Sequence, residues 1–342
     1  MDVLVTGATG RIGANTVKHL LEIGHRVRAL VRPGTDRAEK LRGMSLETVA
    51  VDLQDREGLA ATVEGVEAIV HLGVKLRGPS NWDHLDVNIA PTLTLLEAVR
   101  TRNPGLKRLV YGSSDVLFPH SGYMPQLITE RDRFTHPVGM YAVSKLASEA
   151  IVHSYHHQYG IPTVTLNIPM TFCGRELMGE RAPEFSPYLS DQIRQLERQP
   201  PSPARDRCLE ELRTHQADGK RLVAPLCPEG PAYKRHIGDV RDVARACARA
   251  LETKRGMGEA FIIMSEVLRY DEGVRHLSEV SGMGWAAVPF PRAEFYEYDL
   301  TRTREVLGFE PAYDGPRMLE DAWRHQQGEA VGVIAVGPTG PV

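Results

Sequence analysis

Tyr141 and Lys145 stand four residues apart in the run Tyr141-Ala142-Val143-Ser144-Lys145, a spacing that places both on one face of a helix. An ammonium beside a phenol favours the phenolate and draws its pKa down from about 10 toward working pH. Such a tyrosine can pass a proton to or from a substrate oxygen while hydride moves to or from a nicotinamide, and the same lysine can reach the nicotinamide ribose. Ahead of this pair, Tyr111-Gly112-Ser113-Ser114 closes a predicted strand. A serine there can hydrogen-bond the reacting oxygen and steady its developing charge. Ser114 is the candidate, and Ser113 the alternative if the register shifts by one. The plain readings are two polar residues on an amphipathic helix and a pair of turn serines.

A second constellation lies at the start of the chain. Thr6-Gly7-Ala8-Thr9-Gly10-Arg11-Ile12-Gly13 follows the apolar run Val3-Leu4-Val5 and opens a helical pattern. One glycine permits the tight turn, one lets backbone approach a pyrophosphate, and one lets helix and sheet pack closely. The diphosphate then meets the free N–H groups and positive dipole end of the helix. Gly7, Thr9, Gly10, Arg11, Ile12 and Gly13 are therefore the expected cofactor contacts. The next strand ends in Val31-Arg32-Pro33-Gly34-Thr35-Asp36-Arg37. It lacks at its tip the acid that binds the ribose hydroxyls of NAD and repels a 2′-phosphate. Arg32 offers a planar fork to such a phosphate, and Arg37 is a second candidate, so NADP(H) is favoured and NAD(H) remains possible. The plain reading is two solvated surface arginines. Asp52 and Leu53, past the third strand, are expected beside the adenine ring, where Asp52 either accepts its amino group or caps the next helix.

The elements that must hold these groups alternate. Strands are expected at Val3–Val5, Arg26–Val31, Thr48–Val51, Ala68–Leu72, Leu106–Tyr111 and Thr163–Ile168. The intervening stretches are helical, among them Ile12–Ile23, one beginning near Asn88, and Met140–Tyr159. Such alternation means a parallel sheet with right-handed crossovers and helices on both faces. After Pro169 the pattern breaks: residues 175–233 are rich in proline and charge, Val240–Leu251 resumes a helix, and Phe261–Met264 reads as a strand. The expected fold class is α/β, a Rossmann-type doubly wound parallel sheet with a smaller discontinuous C-terminal substrate lid. Residues 1–172, continued by 234–264, form the dinucleotide-binding domain, and 173–233 with 265–327 form the lid. Residues 328–342 form a flexible tail, although Val331–Val336 is apolar enough to pair somewhere.

Length and composition agree with this. The 342 residues, at roughly 150 per domain, suggest about two domains. Forty-one Lys and Arg against 44 Asp and Glu give a net charge of −3, which argues against a nucleic-acid or membrane-surface partner. There is no apolar run of membrane length and no basic leader before Val3, so a cytoplasmic protein is expected. Cys173, Cys208, Cys227 and Cys247 fall at no metal-ligand spacing. His153, His156 and His157 share a helix, but no nearby acid or cysteine completes a metal site, and none is expected. Cys173 reads as a small residue lining the substrate pocket, with nothing cationic beside it to lower its pKa.

Together, Thr6–Gly13, Val70-His71-Leu72, Asn88-Ile89-Ala90-Pro91-Thr92, Ser113-Ser114 and Tyr141–Lys145 resemble an extended short-chain dehydrogenase/reductase, of the NAD-dependent epimerase/dehydratase superfamily. The resemblance runs to about residue 325 and includes Asp239–Ala244 and Thr301–Pro311. It implies catalytic Ser114, Tyr141 and Lys145, cofactor contacts at Leu72 and Asn88, and Pro169 against the nicotinamide. It also implies a homodimer formed through the helices beginning near Asn88 and Met140. Arg28–Pro33 is similar to the second strand of dihydroflavonol-reductase-like members, in which Arg32 would meet the 2′-phosphate.

The departures bear on substrate. Nucleotide-sugar members carry Arg-x-x-Asn after the sixth strand. Here Ile168-Pro169-Met170-Thr171 stands there, without the arginine and with Thr171 in place of the asparagine. Arg235, before Asp239, is placed like the family's phosphate-binding arginine. Thr171, Cys173 and Arg235 are thus the substrate-side candidates, for a small-molecule substrate. Three readings follow: an oxidoreductase acting on a carbonyl or secondary alcohol, a nucleotide-sugar epimerase or dehydratase with tightly bound NAD, and a non-catalytic cofactor-binding regulator. The intact Ser114, Tyr141 and Lys145 set counts against the third.

Overall fold

The computed structural model describes residues 1–179 and 182–335. The chain runs β1 (Asp2–Thr6), α1 (Arg11–Glu22), β2 (Arg26–Val31), β3 (Glu47–Ala50), α2 (Arg56–Ala61), β4 (Ala68–His71), α3 (Ala90–Arg102), β5 (Arg108–Ser114), α4 (Met140–Tyr159) and β6 (Thr163–Ile168). It continues through α5 (Leu189–Glu197), α6 (Pro203–Ala217), β7 (Leu222–Leu226), α7 (Val240–Glu252), β8 (Ala260–Ile262), α8 (Tyr270–Ser281), β9 (Trp285–Pro289) and α9 (Gly315–Gln326), with shorter turns and bridges between. Seven strands form one sheet in the order β8-β6-β5-β4-β1-β2-β3, all parallel. The expected α/β, doubly wound sheet is what the chain forms.

Most of these strands carry apolar residues on both faces, as a sheet covered on both sides requires. One face packs α1 and α7 around Val5, Val17, Leu20, Val110, Val243 and Leu251. The other packs α2, α3 and α4 around Leu4, Leu59, Leu95, Leu109 and Val152. Strand order reverses between β1 and β4, the point at which open parallel sheets place a ligand crevice beyond the carboxyl ends of the strands. A further apolar cluster joins α5, α6, α8 and α9 around Leu189, Leu212, Val274 and Leu319.

The structure departs from the expected elements in four places. β5 runs to Ser114 rather than stopping at Tyr111, so the candidate serine is the last strand residue. The helix expected from Asn88 begins at Ala90, after a wider turn over Leu85–Ile89. The proline-rich stretch 199–203 is a helix start, since Ser202 Oγ accepts from Arg205 N and Pro203 occupies the first turn. β7, not expected at all, pairs in parallel with β9. It is a short buried run broken by Pro225, with no alternation to betray it.

The tail differs as well. Residues 331–335, in the stretch read as apolar enough to pair within a flexible tail, are tied to the body: Lys18 Nζ donates to Gly332 O at 2.9 Å and Arg241 Nη1 to Val331 O at 2.9 Å. The Asn15 amide bonds Ile334 in both directions, at 3.0 and 2.8 Å. Ile334 packs on the α1–α7 core, and the side chains along α1 satisfy the backbone around it. Residues 336–342 of the expected tail lie outside the described residues. Among the described residues no helix is long and apolar enough to cross a membrane.

The turn between β1 and α1 is a steric fit. Gly7 has φ +67°, and a Cβ on it would stand 2.8 Å from Gly73 N. A Cβ on Gly13 would run into the Gly7 carbonyl oxygen and lie 2.7 Å from its carbon. Gly13→Ala is expected to cost about 1–3 kcal/mol of stability, as overpacking does, measured by chemical denaturation. An unchanged midpoint would contradict the contact.

Candidate active site

The glycine turn leaves an anion-binding helix end at the crevice. The N-cap of α1 is Gly10, which supplies no side-chain acceptor, and its first turn contains no acid. The N–H groups of Arg11 and Ile12 and the positive dipole end are thus open to a diphosphate. The close backbone packing at Gly7 and Gly13, which a Cβ on either would break, shapes a turn that fits a dinucleotide. Leu53 and Leu72 flank it: a Cβ on Gly73 would meet Leu53, and one on Gly112 would meet Leu72. Asp52 accepts from Gln54 N at 3.0 Å, closing a local turn, while Asp55 caps α2. Arg32 is exposed at the tip of β2. The Thr9 carbonyl accepts from Lys40 Nζ at 3.3 Å.

At the carboxyl end of β5, three expected groups come together. Ser114 stands beside Tyr141 at the strand end, and Tyr141 sits in the first turn of α4, following Gly139 at φ +90°. Lys145 lies one turn on, buried, donating to Gly112 O at 2.6 Å; its Nζ stands 5.2 Å from the Tyr111 ring and 5.9 Å from that of Tyr141. Burial lowers the Lys145 ammonium to about 8, against the opposing pull of Glu149. The Tyr141 phenol is not lowered as the sequence suggests. Burial holds it above its ordinary value, Ser114 works downward, and Asp115 adds to the rise. Desolvation dominates because the ammonium is turned to the Gly112 carbonyl rather than to the phenol oxygen.

Two carboxyl groups here were not foreseen. Asp115 accepts from Ser114 Oγ at 3.1 Å and from Met170 N at 3.0 Å. Burial raises its carboxyl, with His120 opposing. Glu149, almost fully buried, accepts from Asn167 Nδ2 at 2.6 Å and pairs with Arg133. Its position four residues beyond Lys145, on the Tyr141–Lys145 stripe, is a signal the sequence held. An acid beside a strand-end serine pair is the corresponding signal for Asp115.

Other expected groups serve elsewhere. Asn88 exchanges bonds with the Lys75 backbone (2.8 and 3.1 Å) and donates to Ser144 Oγ at 2.9 Å, so it anchors the loop after β4 to α4 instead of offering a free amide to a cofactor. The Arg11 side chain reaches Thr171 O at 2.8 Å and Glu176 at 2.9 Å, latching the turn to the lid. Thr171 turns its hydroxyl onto Pro169 O at 2.8 Å, and not toward a substrate. Pro169 is buried just past β6, where a Cβ on Gly238 would meet it. Cys173 does not line a pocket: it lies beneath the C-terminal strap, donating to Ile334 O at 3.2 Å, and burial pushes its thiol to about 12. Arg235 is buried against the lid, donating to Glu184 O at 2.7 Å and Tyr270 OH at 3.2 Å. Its Nε stands 3.6 Å from the Glu294 carboxylate, and the guanidinium lies 4.4 Å from the Phe185 ring centroid.

The model of the NAD dependent epimerase/dehydratase family matches residues 3–263. Sterol demethylase protein B of Methylococcus capsulatus is 39% identical over 128 residues, 37% of each chain. A probable UDP-glucuronate 4-epimerase of Rhizobium meliloti is 29% identical over 180 residues, 48% of this chain and 52% of its own. The chain thus spans about half or less of the length of these curated relatives. A short-chain dehydrogenase/reductase superfamily protein of Agrobacterium tumefaciens, solved with bound NAD, superposes with a TM-score of 0.74 at 26% identity, covering 96% of this chain and 100% of that one. With the glycine turn, the seven-stranded sheet and the Ser114–Tyr141–Lys145 cluster in place, the chain belongs to the NAD-dependent epimerase/dehydratase family, within the extended short-chain dehydrogenase/reductases.

Proposed function

We propose that the protein is a nicotinamide-dependent oxidoreductase that interconverts a secondary alcohol and a carbonyl, with Tyr141 as its acid and base. The observation that carries this is the meeting of Ser114, Tyr141 and buried Lys145 at the carboxyl end of β5, with the Lys145 Nζ 5.9 Å from the Tyr141 ring. A bound nicotinamide supplies or accepts the hydride. Ser114 orients the substrate oxygen, Tyr141 gives or takes its proton, and Lys145 holds positive charge beside the phenol and the ribose. The cofactor lies across residues 1–172 and 234–264, and the substrate lies under 173–233 and 265–327. Apolar groups left exposed on α3 and α4, Leu93 and Val143, support the homodimer expectation.

The lid favours net oxidation or reduction over nucleotide-sugar chemistry. Arg235, its candidate phosphate ligand, already faces Glu294, Tyr270 and the Glu184 carbonyl. An arginine so occupied gains little from a diphosphate, because an existing carboxylate neighbour must be displaced. The epimerase reading keeps the support of the Rhizobium relative. Mass spectrometry of the purified protein separates them. Intact NAD carried through purification, with no net absorbance change at 340 nm on any alcohol or ketone tested, favours the epimerase. Tyr141→Phe is expected to lower turnover about a hundred- to ten-thousand-fold and leave cofactor affinity within a few-fold. Wild-type turnover in that variant would place the acid elsewhere.

For the cofactor, the NAD held by the Agrobacterium relative favours NAD(H) over the NADP(H) preference expected from Arg32. Arg32 makes no hydrogen bond or ion pair among the described residues, and no acid stands at the tip of β2 to repel a 2′-phosphate. The reading is therefore NAD(H), with NADP(H) admitted. Arg32→Asp is expected to weaken NADP(H) about ten- to a hundred-fold, the worth of a bond to a charged group, and to leave NAD(H) within a few-fold, by calorimetric titration. Unchanged NADP(H) affinity would show that Arg32 does not meet the phosphate.

A further inference from the structure

The hydrogen-bonding capacity of the Ser114 hydroxyl is nearly spent before a substrate arrives. A serine hydroxyl has one proton to give and two lone pairs to offer. Val116 N donates to Ser114 Oγ at 3.2 Å, which takes one lone pair. Ser114 Oγ donates to Asp115 Oδ1 at 3.1 Å, which takes the proton. One lone pair is left, so beside an ionised Asp115 this hydroxyl can only accept. A substrate alcohol can donate to it. A substrate carbonyl needs a donor and finds none there.

Protonating Asp115 reverses the hydroxyl. Met170 N donates to Asp115 Oδ2 at 3.0 Å, so that oxygen is already an acceptor and an added proton belongs on Oδ1, facing Ser114. Asp115 then donates to the remaining lone pair of Ser114 Oγ, and the serine proton is released toward the oxygen that Tyr141 serves. Burial favours the neutral carboxyl, and His120, whose Nδ1 donates to Phe118 O at 2.8 Å, opposes it. His120 also acts on the Glu294 carboxyl. Asp115 further faces the phenols of Tyr141 on α4 and of Tyr296 and Tyr298 in the lid, which as neutral groups bring it no counter-charge.

We propose that Asp115 is a positioning residue whose proton sets the direction of the Ser114 hydroxyl. Protonated, it makes Ser114 a donor to a substrate carbonyl; ionised, it makes Ser114 an acceptor from a substrate alcohol. This rests on the oxidoreductase reading. In reduction, hydride from the reduced nicotinamide goes to the carbonyl carbon and the Tyr141 proton goes to the oxygen. Ser114 and Asp115 keep their protons throughout, and Tyr141 is reprotonated from solvent when the turnover ends. Because burial raises the Asp115 carboxyl, the donor state is present at low pH and is lost as pH rises through that raised value.

The test uses the full chain as wild type, Asp115→Asn and Ser114→Ala. An asparagine keeps an oxygen for Met170 N and turns its amide to Ser114 Oγ at every pH, which fixes the serine as a donor. Reduction of cyclohexanone and acetophenone by NADH and NADPH is followed by nicotinamide absorbance from about pH 5 to about pH 9. In the wild type, kcat/KM for reduction is expected to fall about tenfold per pH unit above the Asp115 titration. In Asp115→Asn that limb is expected to vanish, with reduction within about threefold of the wild-type low-pH value and NAD(H) affinity within about twofold. Ser114→Ala is expected to be slower and to lose the limb as well, since Asp115 acts through the serine. A merely structural role for Asp115 would leave the shape of the pH profile unmoved. Infrared difference spectra report the proton itself, as a carboxylic-acid carbonyl stretch present in the wild type and absent from Asp115→Asn. An Asp115 that stays ionised down to about pH 5, near an ordinary carboxyl, overturns the proposal whatever the activity. A limb that survives in either variant overturns it too. Absence of net NAD(H) conversion by the wild type, with Asp115 titrating in the infrared, overturns instead the oxidoreductase reading and with it the carbonyl that Ser114 would meet.

Discussion

Gly13 stands against the carbonyl of Gly7, and the site is built outward from that contact because a side chain at Gly13 would force β1 and α1 apart, while one at Gly7 would strike the Leu72–Gly73 backbone. The approach puts the open N–H groups of α1 at the end of β1. From there polar contacts continue across the molecule. Thr6 Oγ1 accepts from Gly73 N and bonds His71 Nδ1 at 2.6 Å; His71 Nε2 reaches Thr92 on α3, and Thr92 donates to Asn88 O. Asn88 then holds Ser144 on α4. Burial lowers the His71 imidazole to about 3, with Lys145 adding to the effect, so it bridges the two threonines as a neutral ring. The glycine turn and the helix that carries Tyr141 are thus linked through side chains whose bonding capacity is taken up within the fold.

Burial in that interior sets the electrostatics. Tyr141 and Lys145 both titrate away from their ordinary values in the direction that burial dictates, the phenol upward and the ammonium downward. Each shift favours the uncharged form, so whatever charge the pair carries during reaction must be supported by neighbours. Glu149 is buried on the Lys145 stripe, and Arg133 and Asn167 hold it in place. Buried charges of this kind are tolerated only when paired, and here the pairing also fixes how α4 sits on β6.

The lid is joined to the sheet by similar means. Arg11 leaves the glycine turn to reach Thr171 O and Glu176, while Asn15, one turn along, takes the C-terminal strap. Arg241 pairs with Asp239 and Asp321 and also donates to Val331 O. One face of α1 therefore meets both the start of the lid and the end of the chain. The glycine turn, the start of the lid and the C-terminal strap are joined through that one helix.

Sequence alone determined the sheet, the glycine turn and the Tyr141–Lys145 stripe. Each rests on spacing within a few residues: period-two or continuous apolar runs, a glycine cluster after a strand, and a four-residue helical interval. It also placed the boundaries of β2, β6 and α4, where strand and cap signals coincide, as at Gly160 closing α4 with φ +68°. What it could not decide were pairings between residues far apart in the chain. Cys173 looked like a pocket residue until Ile334, 161 positions later, covered it. Arg235 looked like a free anion ligand until Glu294 and Tyr270 closed on it, and Thr171 like a substrate contact until its hydroxyl turned to its own backbone. Local periodicity fixes which face of an element is apolar. Which polar group fills another's bonding capacity, and hence which remain free for chemistry, depends on distances that exist only once the sheet, the lid and the strap have packed together.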